Sequence, residues 1–310
     1  IISNIALRHK NYADQLYYMN MVFTQSNMLT VNLIDEDKPF SVDNIYCEKD
    51  DNYLEQFVSD GRLVTIIMTT WNSENTLEYA VNSVLAQTHQ NIEFIIVDDA
   101  SSDNTASLIK DMSAKDSRIV PILLTDNGGT YVAKNHGRAI AKGEFVTCQD
   151  SDDWAHPQKI SRLVEAITHD DTLIGVECGH VRIAKDAGVQ RRVSGAMRKD
   201  ASSLMYRREV VDETLGFYDA VRAGADGEFK FRMQRYYGKD KIGYLKQLLS
   251  IVDWADGTLS GQGSEYAISA SGVFSAARLA YRQSFYSEHE YGLFETGKSS
   301  LYRPQDNRSS

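Results

Sequence analysis

From residue 63 onward the chain alternates short apolar runs with stretches whose apolar residues recur every three to four positions. Residues 63–68 (Leu-Val-Thr-Ile-Ile-Met) read as a buried strand. Leu77, Ala80, Val81, Val84 and Leu85 follow at i, i+3, i+4, i+7 and i+8, the stripe of an amphipathic helix. Residues 92–97 repeat the strand. Ser101, Ser102 and Asp103 then offer capping oxygens to a helix striped by Leu108, Ile109 and Met112. A third run, 119–124, is interrupted by Pro121, and a Gly-containing loop at 125–130 leads into a helix from Tyr131 that ends at Gly143. A fourth run, 144–149, enters Asp150, and Pro157 opens a helix striped by Ile160, Leu163, Val164 and Ile167. Strands alternating with helices in this way predict an α/β fold with a mostly parallel sheet covered on both faces. Right-handed crossovers then place the strand C-termini along one edge.

The flanks read differently. Residues 11–28 are rich in Tyr, Met and Gln at loosely helical spacing, 31–34 suit a short strand, and the polar break at 35–39 begins a linker ending near Asp60 and Gly61. After residue 173 the pattern suggests strands at 173–178, 181–184 and 203–206, a helix at 228–237 and a C-terminal helix at 273–286. The expected division is an N-terminal extension at 1–60, a main domain at 61–255 with halves 61–154 and 155–255, and a helical C-terminal segment and tail at 256–310. The chain opens on Ile1 rather than Met and reads as a piece of a longer protein.

Composition narrows the function classes. Of 310 residues, 42% are hydrophobic and 25% charged, which excludes intrinsic disorder. The net charge of −10 argues against nucleic acid as main partner and against anionic membrane surfaces. No apolar run approaches the roughly 18 residues a membrane span requires. Cys47, Cys148 and Cys178 form neither a disulfide framework nor a zinc pattern, which fits a reducing, cytoplasmic setting.

In an open α/β sheet, ligands bind beyond the strand C-termini. Those ends read Thr69-Thr70-Trp71-Asn72, Asp98-Asp99, Asp126-Asn127-Gly128 and Asp150-Ser151-Asp152-Asp153. So many carboxylates in one crevice would repel unless a cation neutralised some of them. Hard oxygen ligands directly after a strand suit Mg²⁺ or Mn²⁺, which in turn holds a nucleoside diphosphate. Asp and Ser are also common turn residues, so one such cluster alone has a structural reading as well.

The residues resemble those of inverting family 2 glycosyltransferases, which have the GT-A (Rossmann-like) fold. The likeness runs from Val64 to about Arg235. It rests on the runs 64–72 and 95–103, on Asn127-Gly128-Gly129 with Ala133 to Gly137, on Ala141 to Phe145, and on Asp150-Ser151-Asp152-Asp153. It implies that Thr69, Trp71 and Asn72 lie against base and ribose, and that Asp99 accepts from the base N–H. It further implies that Lys134 and Asp150 belong to the donor site and that Asp152 and Asp153 hold Mn²⁺ or Mg²⁺. Trp71 stands where Tyr is more frequent in the family, and Lys134 where Arg is.

The likeness places the general base at Asp226, with Arg232 downstream; the preceding position, often Glu in the family, is Ala225. An Asp beside two glycines also suits a helix N-cap. The implied reaction is a single displacement with inversion: sugar passes from a nucleoside-diphosphate donor, most often a uridine one, to a hydroxyl of a glycan or glycolipid acceptor. The expected setting is capsule or lipopolysaccharide synthesis, without an integral membrane segment but with peripheral association at the inner face of the bacterial membrane. His180 and the pairs Arg191-Arg192, Arg198-Lys199 and Arg207-Arg208 fall where the acceptor side begins, and Tyr266, Tyr281, Tyr286 and Tyr291 suit sugar stacking or packing. Two alternatives compete: a non-catalytic sugar-nucleotide-binding or scaffold domain, which Ala225 keeps open, and a haloacid-dehalogenase-like phosphatase. That phosphatase motif wants Thr or Val where this chain has Trp154.

Overall fold

The computed structural model describes residues 2–48, 61–184, 186–190, 195–200, 202–254, 265–266, 268–269 and 273–291. Two helices, α1 (Ile2–Arg8) and α2 (Tyr12–Thr24), precede a small antiparallel ladder of β1 (Asn32–Leu33) and β2 (Ile45–Tyr46). These elements pack directly on the main body. Phe23, Val31 and Phe40 are fully buried in one cluster with Ile66, Phe94, Leu163 and Leu249. Gln15 clamps the contact from within, its Nε2 donating to Ala187 O (3.1 Å) and its Oε1 accepting from Phe40 N (3.0 Å). Of the linker expected at 35–60, residues 35–48 are packed instead: they carry β2 and bury Phe40, Val42 and Ile45 in the core, whereas 49–60 lie outside the described residues.

The predicted strand–helix units follow: β3 (Val64–Thr70), α3 (Leu77–Leu85), β4 (Ile92–Asp98), α4 (Thr105–Lys115), β5 (Ile119–Leu123), α5 (Thr130–Ile140) and β6 (Phe145–Asp150). β3 and β4 are buried at every position, as strands covered on both faces must be. β5 carries Pro121 and sits at the sheet edge, where a missing N–H disrupts no second ladder. Then come β7 (Trp154–Ala155), α6 (Lys159–His169), β8 (Gly175–Ala184), β9 (Arg198–Lys199), β10 (Met205–Arg207), α7 (Arg208–Thr214), α8 (Ala225–Tyr237), β11 (Ile242–Trp254) and α9 (Ala276–Tyr291).

The sheet order is β5-β4-β3-β6-β10-β8-β11-β7, with β9 on β8. Pairing is parallel from β5 to β6, as predicted, and mixed beyond it. β10 runs antiparallel to β6 and β8, and β11 parallel to β8. The GT-A α/β architecture expected from the sequence is present, with a parallel half and a mixed half.

Two expectations in the second half change. The strands at 173–178 and 181–184 are one strand, β8. Gly179 marks a close approach rather than a break: a Cβ there would meet Gln247 O and Met197 Sδ, each at 2.7 Å. The 13-residue β11 was not foreseen. Its register against β8 shifts between Tyr244 and Leu248 and again between Leu248 and Ser250, which scrambles the two-residue alternation that identifies a strand.

Candidate active site

At the C-terminal ends of β3, β4 and β6 lies a cleft of about 1110 Å³ whose far wall is built from β8, β9, α8 and α9. Its lining includes Thr69, Trp71, Asn72, Asp99, Lys134, Asp150, Asp152, Asp153 and Asp226, so the residues expected to bind donor and metal and the expected base share one cleft. Their local environments differ in ways that assign each a task.

Trp71 is 57% exposed, an indole face open to the cleft. Asn72 adopts φ +49°, a conformation Asn tolerates, and its Oδ1 accepts from Ser102 N at 2.8 Å. That side chain orders the loop after β4. Thr69 Oγ1 lies 2.7 Å from Thr130 Oγ1, joining the end of β3 to the start of α5. Asp99 accepts from Gly128 N (2.8 Å) on one oxygen and Gly129 N (2.7 Å) on the other. It therefore fixes the loop before α5, and each oxygen retains a second acceptor lone pair. Arg222, which the sequence did not suggest, reaches the same loop, its guanidinium donating to Asn127 Oδ1 at 2.6 Å.

Of the acids expected at this edge, Asp98 and Asp126 do not line the cleft. Asp98 is buried and accepts from Ser101 Oγ at 2.5 Å, so it braces the turn after β4. Asp150 pairs with the buried Lys134 (Nζ to Oδ1, 3.2 Å). Burial alone would lower the Lys134 pKa, but Asp150 and its neighbours hold the ammonium well above its ordinary value. Asp152 and Asp153 shift upward as well, which for a carboxylate disfavours the charged form. Burial first, and then neighbouring carboxylates including Asp150, raises both above the usual carboxylate range. Asp153 Oδ1 accepts from Asp253 N (3.1 Å), which ties the turn after β6 to the unforeseen β11.

Such mutual elevation is what crowded acids show without a countercharge, and hard oxygens of this kind fit Mg²⁺ or Mn²⁺. Among the described residues no three His, Cys, Asp or Glu side chains are placed to hold a metal ion by themselves. A cation here would need ligand oxygens to complete its shell, as the phosphates of a nucleotide provide.

Asp226 stands in the first turn of α8, where the helix dipole favours a carboxylate. The cap itself is Gly224, at φ +95°, so the N-cap reading of Asp226 does not hold. Tyr131 positions the acid: its hydroxyl donates to Asp226 Oδ1 at 2.7 Å and accepts from Gly224 N at 3.1 Å. Ala225 is wholly buried in a cluster with Tyr131, Tyr206 and Phe229, where a Glu would be a buried charge. The buried pair Glu228–Arg232 serves structure, since Arg232 also donates to Leu215 O (2.6 Å) and Phe217 O (2.9 Å).

Among the basic candidates, His180, Arg198 and Lys199 line the cleft, whereas Arg207 and Arg208 do not. Those two donate to the carbonyls of Leu173 and Gly143. Arg191 and Arg192 lie outside the described residues. Tyr281 and Tyr286 line the cleft, and Tyr281 donates to Asp219 Oδ2 at 2.7 Å. His136 is exposed on α5, and His156 is buried against the N-terminal segment, its Nε2 3.0 Å from Leu29 O. Among the described residues no helix is long and apolar enough to cross a membrane.

A two-wall α/β domain with an acid-lined strand edge and a carboxylate facing it is thus defined. The profile of the family described as "Glycosyl transferase family 2" matches residues 65–224, and the chain belongs to that family. Similar curated proteins include the glycosyltransferase GlyG of Streptococcus pneumoniae serotype 4, 35% identical over 111 residues, or 36% of this chain and 37% of that one. Another is the Escherichia coli UDP-Glc:alpha-D-GlcNAc-diphosphoundecaprenol beta-1,3-glucosyltransferase WfaP, 41% identical over 102 residues, 33% of this chain and 40% of that one. The matched stretch thus spans little more than a third of these relatives' length. Among solved structures, S. aureus TarS 1–349 in complex with UDP has a TM-score of 0.52 at 20% identity, covering 61% of this chain and 60% of that one, a likeness of fold. Family membership does not favour the phosphatase alternative.

Proposed function

We propose that the protein is an inverting glycosyltransferase that moves a sugar from a nucleoside-diphosphate donor, most simply a UDP-sugar, to a hydroxyl of a glycan or glycolipid acceptor in bacterial polysaccharide synthesis. The observation that carries this reading is the convergence of Asp150, Asp152 and Asp226 on one cleft, from opposite walls. Support also comes from WfaP, whose name specifies a UDP-sugar donor and a diphospholipid acceptor, and from the UDP bound to TarS.

In this account Trp71 stacks on the base, and Asp99 holds the 127–129 loop while accepting from the base N–H. Asp152 and Asp153, with Asp150 beside them, would hold Mn²⁺ or Mg²⁺, which when bound supplies Lewis-acid stabilisation to the leaving diphosphate. Lys134 pairs with Asp150 and orients it. Asp226 takes the proton of the acceptor hydroxyl as it attacks the anomeric carbon from the face opposite the diphosphate. Tyr131 occupies Oδ1 and so leaves Oδ2 for that proton. The anomeric configuration inverts because displacement occurs once.

The test is turnover of a panel of nucleotide sugars with an acceptor glycan, the product anomer being read by proton NMR. Transfer with inversion supports the reading. Retention of configuration, or donor-independent release of phosphate from aryl phosphates, contradicts it.

A further inference from the structure

We propose that the acceptor wall of the cleft contains an anion subsite, in which His180 and Arg182 of β8 and Arg198 of β9 receive a phosphate or carboxylate borne by the acceptor glycan. This deepens the glycosyltransferase reading and rests on it. The three residues share a face: His180 and Arg182 are two apart on one strand, and His180 pairs in register with Arg198 on the antiparallel neighbour. All three line the same cleft as Asp226.

His180 gives the independent sign of a ligand. It is 8% exposed, yet neither ring nitrogen has a hydrogen-bond partner among the described residues. Burial lowers its pKa to about 4, so at neutral pH the ring presents one N–H donor and one lone pair. A buried ring without partners costs stability unless something that enters the cleft completes it. Guanidinium groups beside it supply paired N–H donors in the fork that oxyanions accept.

The carboxylates on these strands already have ammonium partners. Glu177, almost wholly buried, is bracketed by Lys199 (3.0 Å) and Lys230 (2.5 Å), leaving that trio a net positive charge. Asp200 is engaged by Lys159 at 3.8 Å and by Ser202 at 2.8 Å. The cleft is therefore polarised, acidic at Asp150, Asp152 and Asp153 and basic across from them. A cation-bridged diphosphate suits the first end and an anionic acceptor the second.

The experiment titrates the protein, saturated with UDP and Mn²⁺, with three oligomers of matched length: a glycerol phosphate chain, an oligogalacturonate and neutral maltooctaose. We expect one polyanion to bind about tenfold or more tighter than maltooctaose, and its identity separates phosphate from carboxylate. Arg182→Gln, Arg198→Gln and His180→Asn should each weaken that binding while leaving UDP affinity unchanged. Raising salt from about 0.05 to 0.5 M should weaken it about tenfold in the parent protein, a readout that needs no variant to fold. Equal binding of all three oligomers, variants that bind like the parent, or a flat salt response would each overturn the subsite. UDP binding, measured before any oligomer is added, reports separately on the donor site; its absence counts against the glycosyltransferase reading itself.

Discussion

The two walls of the cleft were built by different rules. On the proposed donor wall, β3, β4 and β6 are parallel, nearly wholly buried, and each delivers its cleft-lining residues at its own C-terminus. Position in the sequence and position in the site are therefore linked by topology alone. On the acceptor wall the pairing is mixed, β11 is bulged, and the lining comes from strand interiors, a helix N-terminus and α9. Chemistry there depends on which face of a strand or helix a residue occupies. The difference bears on how charge is distributed between the walls. In the proposed account a cation entering from solvent relieves the crowded acids at the strand ends, and the sheet face of Arg182, Arg198 and His180 receives an anion brought by a substrate.

The comparison breaks most visibly at Asp226, the one acid on the basic wall to which the account gives a chemical step. Asp226→Asn removes the base but keeps the size and one acceptor oxygen, and turnover should fall about 10²- to 10⁴-fold with donor affinity unchanged. Steady-state kinetics beside a UDP titration check this. If donor affinity fell in proportion to turnover, Asp226 would belong to the donor wall instead.

Acidification probes what lies behind both walls. His156 is fully buried, and burial lowers its pKa to about 4. The unfolded chain, with an ordinary value near 6.5, binds the proton first, so stability is intact above pH 6.5 and declines as pH falls toward 4. The expected loss is about 3 kcal/mol for this one group, read as urea midpoints between pH 7 and 4. His156→Gln should flatten that slope. An unchanged slope in the variant would show that the histidine is not held neutral.

Smaller effects sharpen the donor wall. Trp71→Ala should raise the donor Michaelis constant by the loss of a stacking face, about 1–3 kcal/mol, with the chemical step little altered. Gly137→Ala places a methyl 2.7 Å from Ile67 Cγ2, between α5 and β3. Overpacking of this kind costs about 1–3 kcal/mol in stability, which thermal denaturation measures. A wild-type melting temperature would mean that α5 can move away from the sheet.

Legibility in the sequence followed the same division. The strands of the parallel half and their ends were legible because buried parallel strands are continuous apolar runs, and their ends are marked by abrupt polar residues such as Asp150. Asp98 was misplaced because an acid at a strand end can turn to cap its own loop, as its bond to Ser101 shows. Tyr131 escaped notice since nothing in a helical stripe says that its hydroxyl will reach Asp226, 95 residues on. Asp253 escaped because the bulges of β11 erase the period that would have revealed the strand. His180 was marked as a candidate; that its ring is buried without a hydrogen-bond partner among the described residues is visible only in three dimensions.

The central claim is that a divalent cation turns the acidic wall into a diphosphate site while the opposite wall holds the base. Calorimetric titration of UDP, with and without Mn²⁺, into the parent, Asp152→Asn and Asp226→Asn tests it most directly. The account predicts Mn²⁺-dependent binding in the parent and in Asp226→Asn, and its loss in Asp152→Asn. Equal binding by all three proteins with or without Mn²⁺, or none by the parent, would contradict it.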